Sequence, residues 1–434
     1  MAGAGALGIA AVLPKAARAA IPAAPQKPVL ITNIRLFDGK SAQLQDVQSA
    51  GDAPPADVLV IDGRGRTLMP GLIDAHWHTM MAALPLAIMM TADVGYINLV
   101  AAEEANRTLM RGFTTVRDMA GPSFGLKRAI DSGLVPGPRI YPSGAMISQT
   151  SGHGDYRMPY DIPAAMNAPL NRGEVLNGGV IADGVDQVLK RTREQLMLGA
   201  TQLKLAAGGG VSSHFDPLDV SQFTEAELRA AVDAAENWGT YVAVHAYTPR
   251  AIQTSLRAGV RCIDHGQLMD EDTAKMIADK GAWLSLQPFL DDEDANPHPE
   301  GSANRAKQIE MSAGTDTAYR LAKTYKLKTA WGTDTLFDAA LAKKQGKQLA
   351  KMTRWYSPGE VLMMATSTNA QLLAMCGPRN PYNGKLGVVE AGGFADLLLI
   401  DGDPLTNLAL VADPEKNLKL IMKDGRIYKN TLTA

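Results

Sequence analysis

Between residue 71 and about residue 335 the chain alternates short apolar runs with longer stretches whose apolar positions recur at helical spacing. The runs are Leu72 to His76, Phe113 to Arg117, Arg139 to Pro142, Gln202 to Ala206, Tyr241 to His245, Arg261 to His265, Ala282 to Gln287 and Thr329 to Gly332. That is the number of strands a closed parallel (β/α)8 barrel requires, and no repeat of the solenoid kind competes with that reading. Gly112, Gly199, Gly239, Gly259 and Gly281 each close an apparent helix just before a run. Glycine there lets the helix end in the left-handed conformation before the chain turns into a strand.

The pattern changes at both ends. Val29 to Phe37 and Val58 to Leu68 precede the alternating region, and Val388 to Ile400 and Leu418 to Tyr428 follow it; all four read as strands. Asp62-Gly63, Asp401-Gly402 and Asp424-Gly425 suit tight hairpins between them. The expected fold is therefore α/β: a TIM barrel over 71–379 inserted into a small β-domain built from 29–70 and 380–434. Pro358 to Cys376, with Ser357 as its cap, predicts a helix that closes the barrel.

Composition narrows the partners. In 434 residues, 43 Lys and Arg face 45 Asp and Glu, which offers no nucleic-acid footprint. Two cysteines, Cys262 and Cys376, leave no disulfide framework and no all-thiolate zinc site, so a metal here needs mainly nitrogen and oxygen ligands. Residues 1–28 are alanine-rich, with an apolar stretch from Ala6 to Leu13 and then Ala17-Arg18-Ala19. They read either as a signal-peptide remnant, which would make the protein periplasmic or secreted, or as a plain disordered tail on a cytoplasmic one. Thr79 to Ala102 carries Asp93 as its only charge, but Pro85, Gly95 and Asn98 interrupt it. It is assigned to a loop and a buried helix, so no membrane span is expected.

Polar residues fall at the carboxyl ends of the apolar runs, and in a barrel those ends converge on one face. The first run leads into His76-Trp77-His78, whose alternation points both imidazoles the same way. The fifth ends in His245, the sixth in His265, and the eighth leads to Asp334. Any one of these histidines alone reads as a satisfied core residue; the ordered set is a donor set that divalent zinc accepts. Lys204 is set in Gln202-Leu203-Lys204-Leu205-Ala206 at the end of the fourth strand, where an unpaired ammonium beside metal cations would be disfavoured. A buried lysine has a depressed pKa and takes up carbon dioxide, giving a carbamate able to bridge two metals.

With these positions, Pro70-Gly71-Leu72-Ile73-Asp74-Ala75-His76-Trp77-His78 and the late stretch Gly393-Phe394-Ala395-Asp396-Leu397 followed by Asp401-Gly402-Asp403-Pro404 resemble the amidohydrolase superfamily, over almost the whole chain after residue 28. That family pairs a barrel with an appended β-sandwich. The resemblance implies His76 and His78 on one metal ion, His245 and His265 on another, Lys204 bridging as the carbamate, and Asp334 binding the first metal and handling protons. It also implies hydrolysis of an amide or related acyl bond, with two metal ions activating a shared water and polarising the substrate carbonyl. A homo-oligomer is implied as well.

Substrate choice rests on the loops. His153, in the glycine-rich Ser151-Gly152-His153-Gly154-Asp155, either donates a hydrogen bond to the oxyanion or makes a structural bond. Tyr247 and Arg250, flanking a helix start, are candidates to grip a substrate carboxylate, with Arg250 equally readable as a surface residue. These features resemble the branch containing Xaa-Pro dipeptidases, carboxypeptidases that act on acylated Xaa-Lys/Arg dipeptides, and bacterial ochratoxin A hydrolases. The leading reading is a binuclear zinc amidohydrolase that cleaves the amide between an acyl or aromatic group and a carboxyl-terminal amino acid, on a small-molecule or dipeptide-like substrate. Met80, Met81, Met89 and Met90 either line an adaptable apolar pocket or pack a core or subunit interface. Asp291-Asp292-Glu293-Asp294 reads as a solvated acidic loop, or as a lid favouring a basic leaving amino acid. An Xaa-Pro dipeptidase is the alternative; a deaminase or lactonase and a non-catalytic metal-barrel scaffold are the other classes, with Lys204 arguing against the deaminase and the filled ligand positions against the scaffold.

Overall fold

The computed structural model describes residues 27–47, 56–162, 168–295 and 297–432. The alanine-rich segment of the export reading, through residue 26, lies outside the described residues.

The chain opens with β1 (Val29–Leu36), β2 (Gln45–Val47) and β3 (Leu59–Pro70). It continues through β4 (Leu72–Trp77), β5 (Phe113–Asp118), β6 (Arg139–Pro142), β7 (Met146–Ser148), β8 (Gly179–Ile181), β9 (Leu203–Ala206), β10 (Val242–Ala246), β11 (Cys262–His265), β12 (Trp283–Leu286) and β13 (Lys328–Trp331). It ends with β14 (Leu397–Ile400), β15 (Leu418–Lys423) and β16 (Arg426–Asn430).

Every expected apolar run is a strand, and all of them pair in parallel. They form two sheets, β4-β5-β6 and β13-β12-β11-β10-β9-β7-β8. Bonds join the sheets at both edges. On one side Thr201 N–H donates to the Pro142 carbonyl at 2.8 Å and the Gln202 amide to Tyr141 at 2.9 Å. On the other, Asp334 N–H donates to the His76 carbonyl at 2.7 Å. The arrangement fits a barrel. All six residues of β4 and of β5 are buried, as strands covered on both faces must be. The short strands β7 and β8 carry too few residues to show a period and were not anticipated.

The helix at Pro358 begins as expected, with Ser357 and Glu360 forming a capping box. It runs as Pro358–Met363, a π turn over Met364–Thr368, and Asn369–Ala374. The π turn delivers the buried Asn369 amide to the β4–β13 edge. Its Oδ1 accepts from Trp331 N–H at 3.0 Å, and its Nδ2 donates to the carbonyls of Ile73 at 2.7 Å and Trp331 at 2.8 Å. The stretch from Thr79 to Ala102 holds Leu86–Thr91 and the start of Val94–Met110, and no helix among the described residues is long and apolar enough to cross a membrane.

Strands from both flanks of the alternating region meet in one six-stranded sheet among the described residues, β16-β15-β14-β3-β1-β2. One face, including Met69, Leu398 and Ile421, joins the main core; the other buries Ile34, Ile61, Leu68, Leu399 and Leu420. Of the three expected hairpins only Asp424-Gly425 is one, with both residues at positive φ. Asp62-Gly63 instead lies inside β3, which runs parallel to β1. Asp62 Oδ1 accepts from Arg64 N–H and Asn33 Nδ2, both at 2.9 Å, so the irregularity is absorbed as a shift of register. Asp401-Gly402 packs along β3 through Arg66 at 3.1 Å and Thr67 at 2.7 Å, and the next strand starts only at Leu418. The long strand expected over Val388 to Ile400 is confined to Leu397–Ile400.

Replacing Asn369 by Leu would leave one N–H and two carbonyls buried without partners. The expected cost is about 4 kcal/mol of folding stability, read as a lower urea midpoint; an unchanged midpoint would show that Asn369 does not hold this seam.

Candidate metal centre

Three imidazoles and a carboxylate meet above the carboxyl ends of the parallel strands. One nitrogen each of His76 and His265 and one Asp334 oxygen lie within 4.8 Å of one another, a spacing that can hold one metal ion. His78 Nε2 stands 2.9 Å and His76 Nε2 3.2 Å from the same Asp334 oxygen. His245 joins through its ring, 4.5 Å from His265 between centroids. The tightest grouping thus takes one ligand from each expected pair, plus the carboxylate.

The second ring nitrogen of a metal-binding histidine normally donates to a fixed acceptor, which sets the tautomer and the orientation. His76 Nδ1 donates to Asp264 Oδ1 at 3.0 Å, His265 Nδ1 to Gln287 Oε1 at 2.7 Å, and His245 Nε2 to the Gly209 carbonyl at 3.0 Å. Each ring therefore keeps one nitrogen free for an ion. Burial, above all, holds His245 and His265 well below the usual imidazole range, so both rings are neutral, as ligands must be.

Lys204 is 2% exposed, and its Nζ has no hydrogen-bond partner. Asp264 Oδ2, 3.4 Å away, has none either. Burial lowers the Lys204 pKa. Burial acts to raise the Asp264 carboxyl, but Arg117 at 2.6 Å, with Lys204 and His76, holds it well below the usual range. Burial likewise opposes ionisation of Asp334, and His76, His78 and His265 keep it ionised. An orphaned amine among neutral imidazoles and ionised carboxylates fits a centre built for cations.

The strand ends are held by the first signature. Asp74 Oδ1 accepts from the N–H groups of His76 at 3.0 Å and Thr333 at 3.1 Å, and its Oδ2 from the Thr333 hydroxyl at 2.8 Å and Gln345 at 2.9 Å. Acids of the late signature instead serve the terminal sheet: Asp396 accepts from Asp424 N–H, and Asp403 pairs with Arg35. His265 and Asp334 sit at φ 83° and 52°, conformations that non-glycine residues rarely adopt.

A cavity of 410 Å³ opens over the centre, lined by all the expected site residues except Arg250. His153 stacks on His245 at 4.1 Å, with its Nδ1 2.8 Å from the Ser213 hydroxyl and 3.9 Å from buried Asp216. Tyr247 stands edge-on to His245 at 4.8 Å. Arg250 is exposed at the start of Pro249–Ala258 and lies outside the cavity lining. Three of the four acids of the loop Asp291-Asp292-Glu293-Asp294 are paired: Asp291 with Arg305 at 2.7 Å, Asp292 with Lys351 at 2.7 Å and Asp294 with Lys344 at 3.0 Å.

Sequence reading missed Asp264, Gln287 and the Gly209 carbonyl. The first two had a signal, since each is a polar residue at the end of an apolar run; the carbonyl had none.

Residues 67–428 match the family model described as the amidohydrolase family. The chain belongs to the amidohydrolase family. This amidohydrolase is 29% identical over 393 residues to the ochratoxinase of Aspergillus niger, covering 83% of this chain and 75% of that one. It is 31% identical to a solved prolidase complexed with N-methylphosphonate-L-proline, with a TM-score of 0.82 over 93% of this chain and 100% of the other. A solved Xaa-Pro dipeptidase with methionine bound in its active site is 27% identical, with a TM-score of 0.77 over 93% and 100%. The amidohydrolase is accordingly a hydrolase of a family that generally binds divalent metals, with a small molecule as substrate.

Gln287→Leu removes the acceptor that orients His265. It should lower zinc affinity about 10-fold to 100-fold in a chelator competition while leaving the circular dichroism spectrum intact; wild-type affinity would remove Gln287 from the centre.

Proposed function

We propose that this amidohydrolase uses two zinc ions to hydrolyse the amide joining an acyl or aromatic group to a carboxyl-terminal amino acid. The observation that carries the reading is the donor set: the rings of His76, His245 and His265, each with one nitrogen anchored and the other left for the centre, with His78 and Asp334 beside a buried amine that has no hydrogen-bond partner. In this reading His76, His78 and Asp334 would hold one ion, His245 and His265 the other, and Lys204, as a carbon dioxide-derived carbamate, would serve as a ligand to both. The same reading takes the two parallel sheets as one closed (β/α)8 barrel over 71–379, flanked by the composite β-domain of 29–70 and 380–434.

Bound cations supply the positive charge that lowers the pKa of a water and polarises the scissile carbonyl. The chain's own groups do the rest. Asp334, already ionised and 14% exposed at its side chain, faces the cavity and accepts the proton of the attacking water. The same carboxyl then returns a proton to the leaving nitrogen, so it ends the cycle as it began. His153, on the opposite flank of His245, donates to the developing oxyanion, and Tyr247 orients the substrate carboxylate. Arg250 has no part in this assignment.

Cleavage of Xaa-Pro dipeptides is the second reading, favoured by the 31% identity to the prolidase solved with a proline phosphonate.

Two measurements test the assignment. Zinc-loaded protein should release the terminal residue from a panel of N-acyl amino acids, Xaa-Pro dipeptides and ochratoxin A, and a chelator should abolish release; a panel with two metals bound and no release would move the reaction to esters or lactones. Asp334→Asn should retain metal yet lose turnover by about 10²-fold to 10⁴-fold, whereas Arg250→Ala should leave kcat/KM unchanged; near-normal turnover in the first would remove Asp334 from proton transfer.

A further inference from the structure

Beside the metal centre lies a second chamber of 180 Å³, lined by Met80, Met81, Met89, Leu86, Ile97 and Leu176 among others. None of the described residues lining it is charged at neutral pH. A largely apolar lining without a cationic side chain disfavours a carboxylate, which would give up water for no charged partner. It accepts an apolar group. An apolar cavity of about 150 Å³ holds a benzene ring, so this volume suits one substituted aromatic ring.

The two spaces share three lining residues, Met81, Tyr156 and Phe337, which form the partition between them. Met81 lies three residues after His78, and its N–H donates to the His78 carbonyl at 2.9 Å. Phe337 N–H donates to the Met81 carbonyl at 2.9 Å, so the partition's backbone is fixed and only its side chains can yield. The Met81 methyl lies over two glycines: a Cβ at Gly121 would meet it at 3.2 Å and one at Gly178 at 3.7 Å. An unbranched methionine resting on residues without side chains swings aside at low cost.

The partition also stands on the right side of the chemistry. Tyr247, assigned above to the substrate carboxylate, stands against His245, whereas Met81 adjoins His78. An amide placed over the metal centre with its carboxylate toward Tyr247 points its acyl end at Met81.

We propose that the methionine-lined chamber receives the acyl end of the substrate, that the acyl group it selects is aromatic, and that Met81 is the movable partition admitting it. This rests on the hydrolase reading above, and one readout is independent of turnover.

The experiment combines binding and rate. Neutral 2-naphthamide is titrated against metal-free and zinc-loaded protein by its fluorescence, and kcat/KM is measured for N-acetyl, N-benzoyl and N-(2-naphthoyl) phenylalanine. The same measurements are made on Gly178→Leu, whose new side chain enters the chamber, and on Met90→Trp, a half-buried position on its rim.

The wild-type protein should bind 2-naphthamide with or without zinc and prefer the aromatic acyl groups by about tenfold or more. Both variants should lose the binding and the preference while the acetyl substrate turns over as before. Unchanged aromatic preference and binding in either folded variant would overturn the proposal, as would absence of naphthamide binding in the wild type. A change in subunit number in the variants, by size-exclusion chromatography, with naphthamide never bound would make the chamber a contact between copies and also overturn it. Naphthamide binding that the variants abolish, without hydrolysis of any acyl amino acid, would uphold an aromatic site and sink the hydrolase substrate reading instead.

Discussion

Buried charge has to be matched, and at the mouth of this barrel-like body the matching runs through one carboxylate. Asp264 has no exposed surface, yet it receives the Arg117 guanidinium and the His76 imidazole on one oxygen and faces Lys204 with the other. Removing Asp264 would strand the rest: Arg117 would sit in the core without this counter-charge, His76 would lose its orientation, and Lys204 would lose the one acid within 4 Å of it among the described residues. This network fixes which ring nitrogen of His76 faces the cavity. The same burial that makes the charges costly lowers the Lys204 pKa.

Geometry around that carboxylate is set by strand ends. Parallel strands bring His76, Lys204, His245 and His265 to one rim because each follows an apolar run of similar length. Asp74 locks the first strand to the last by holding the backbones of both His76 and Thr333. Fine placement then departs from regular strand: His265 and Asp334 turn to positive φ, so residues that alternate outward in an extended strand are redirected over the centre. Neighbouring hydrogen bonds keep them there.

Much of this was legible in the chain. Apolar runs, five of them preceded by a helix-closing glycine, gave the central strands to within a residue or two, since burial on both faces favours a continuous apolar pattern. Polar residues ending those runs gave His76, His78, Lys204, His245, His265 and Asp334. What stayed hidden depended on partners far away in sequence. Asp62-Gly63 looked like a hairpin because a turn dipeptide does not reveal that Asn33 on a neighbouring strand will satisfy it. Arg250 looked like an anion grip because its position after a strand end was visible and its outward direction was not. The acidic loop looked free because Arg305, Lys344 and Lys351 come later in the chain and reach it only in the fold.

The terminal sheet sets the order in which the molecule can be finished. Leu68 on β3 pairs with Leu399 on β14, so a strand made early waits for one made late. At about 10 residues per second, a ribosome needs on the order of half a minute to cover that interval. Throughout it, β3 has β1 on one edge and no partner on the edge that Leu399 will pair. A truncated form lacking β14 would leave that edge of Leu68 and Met69 open.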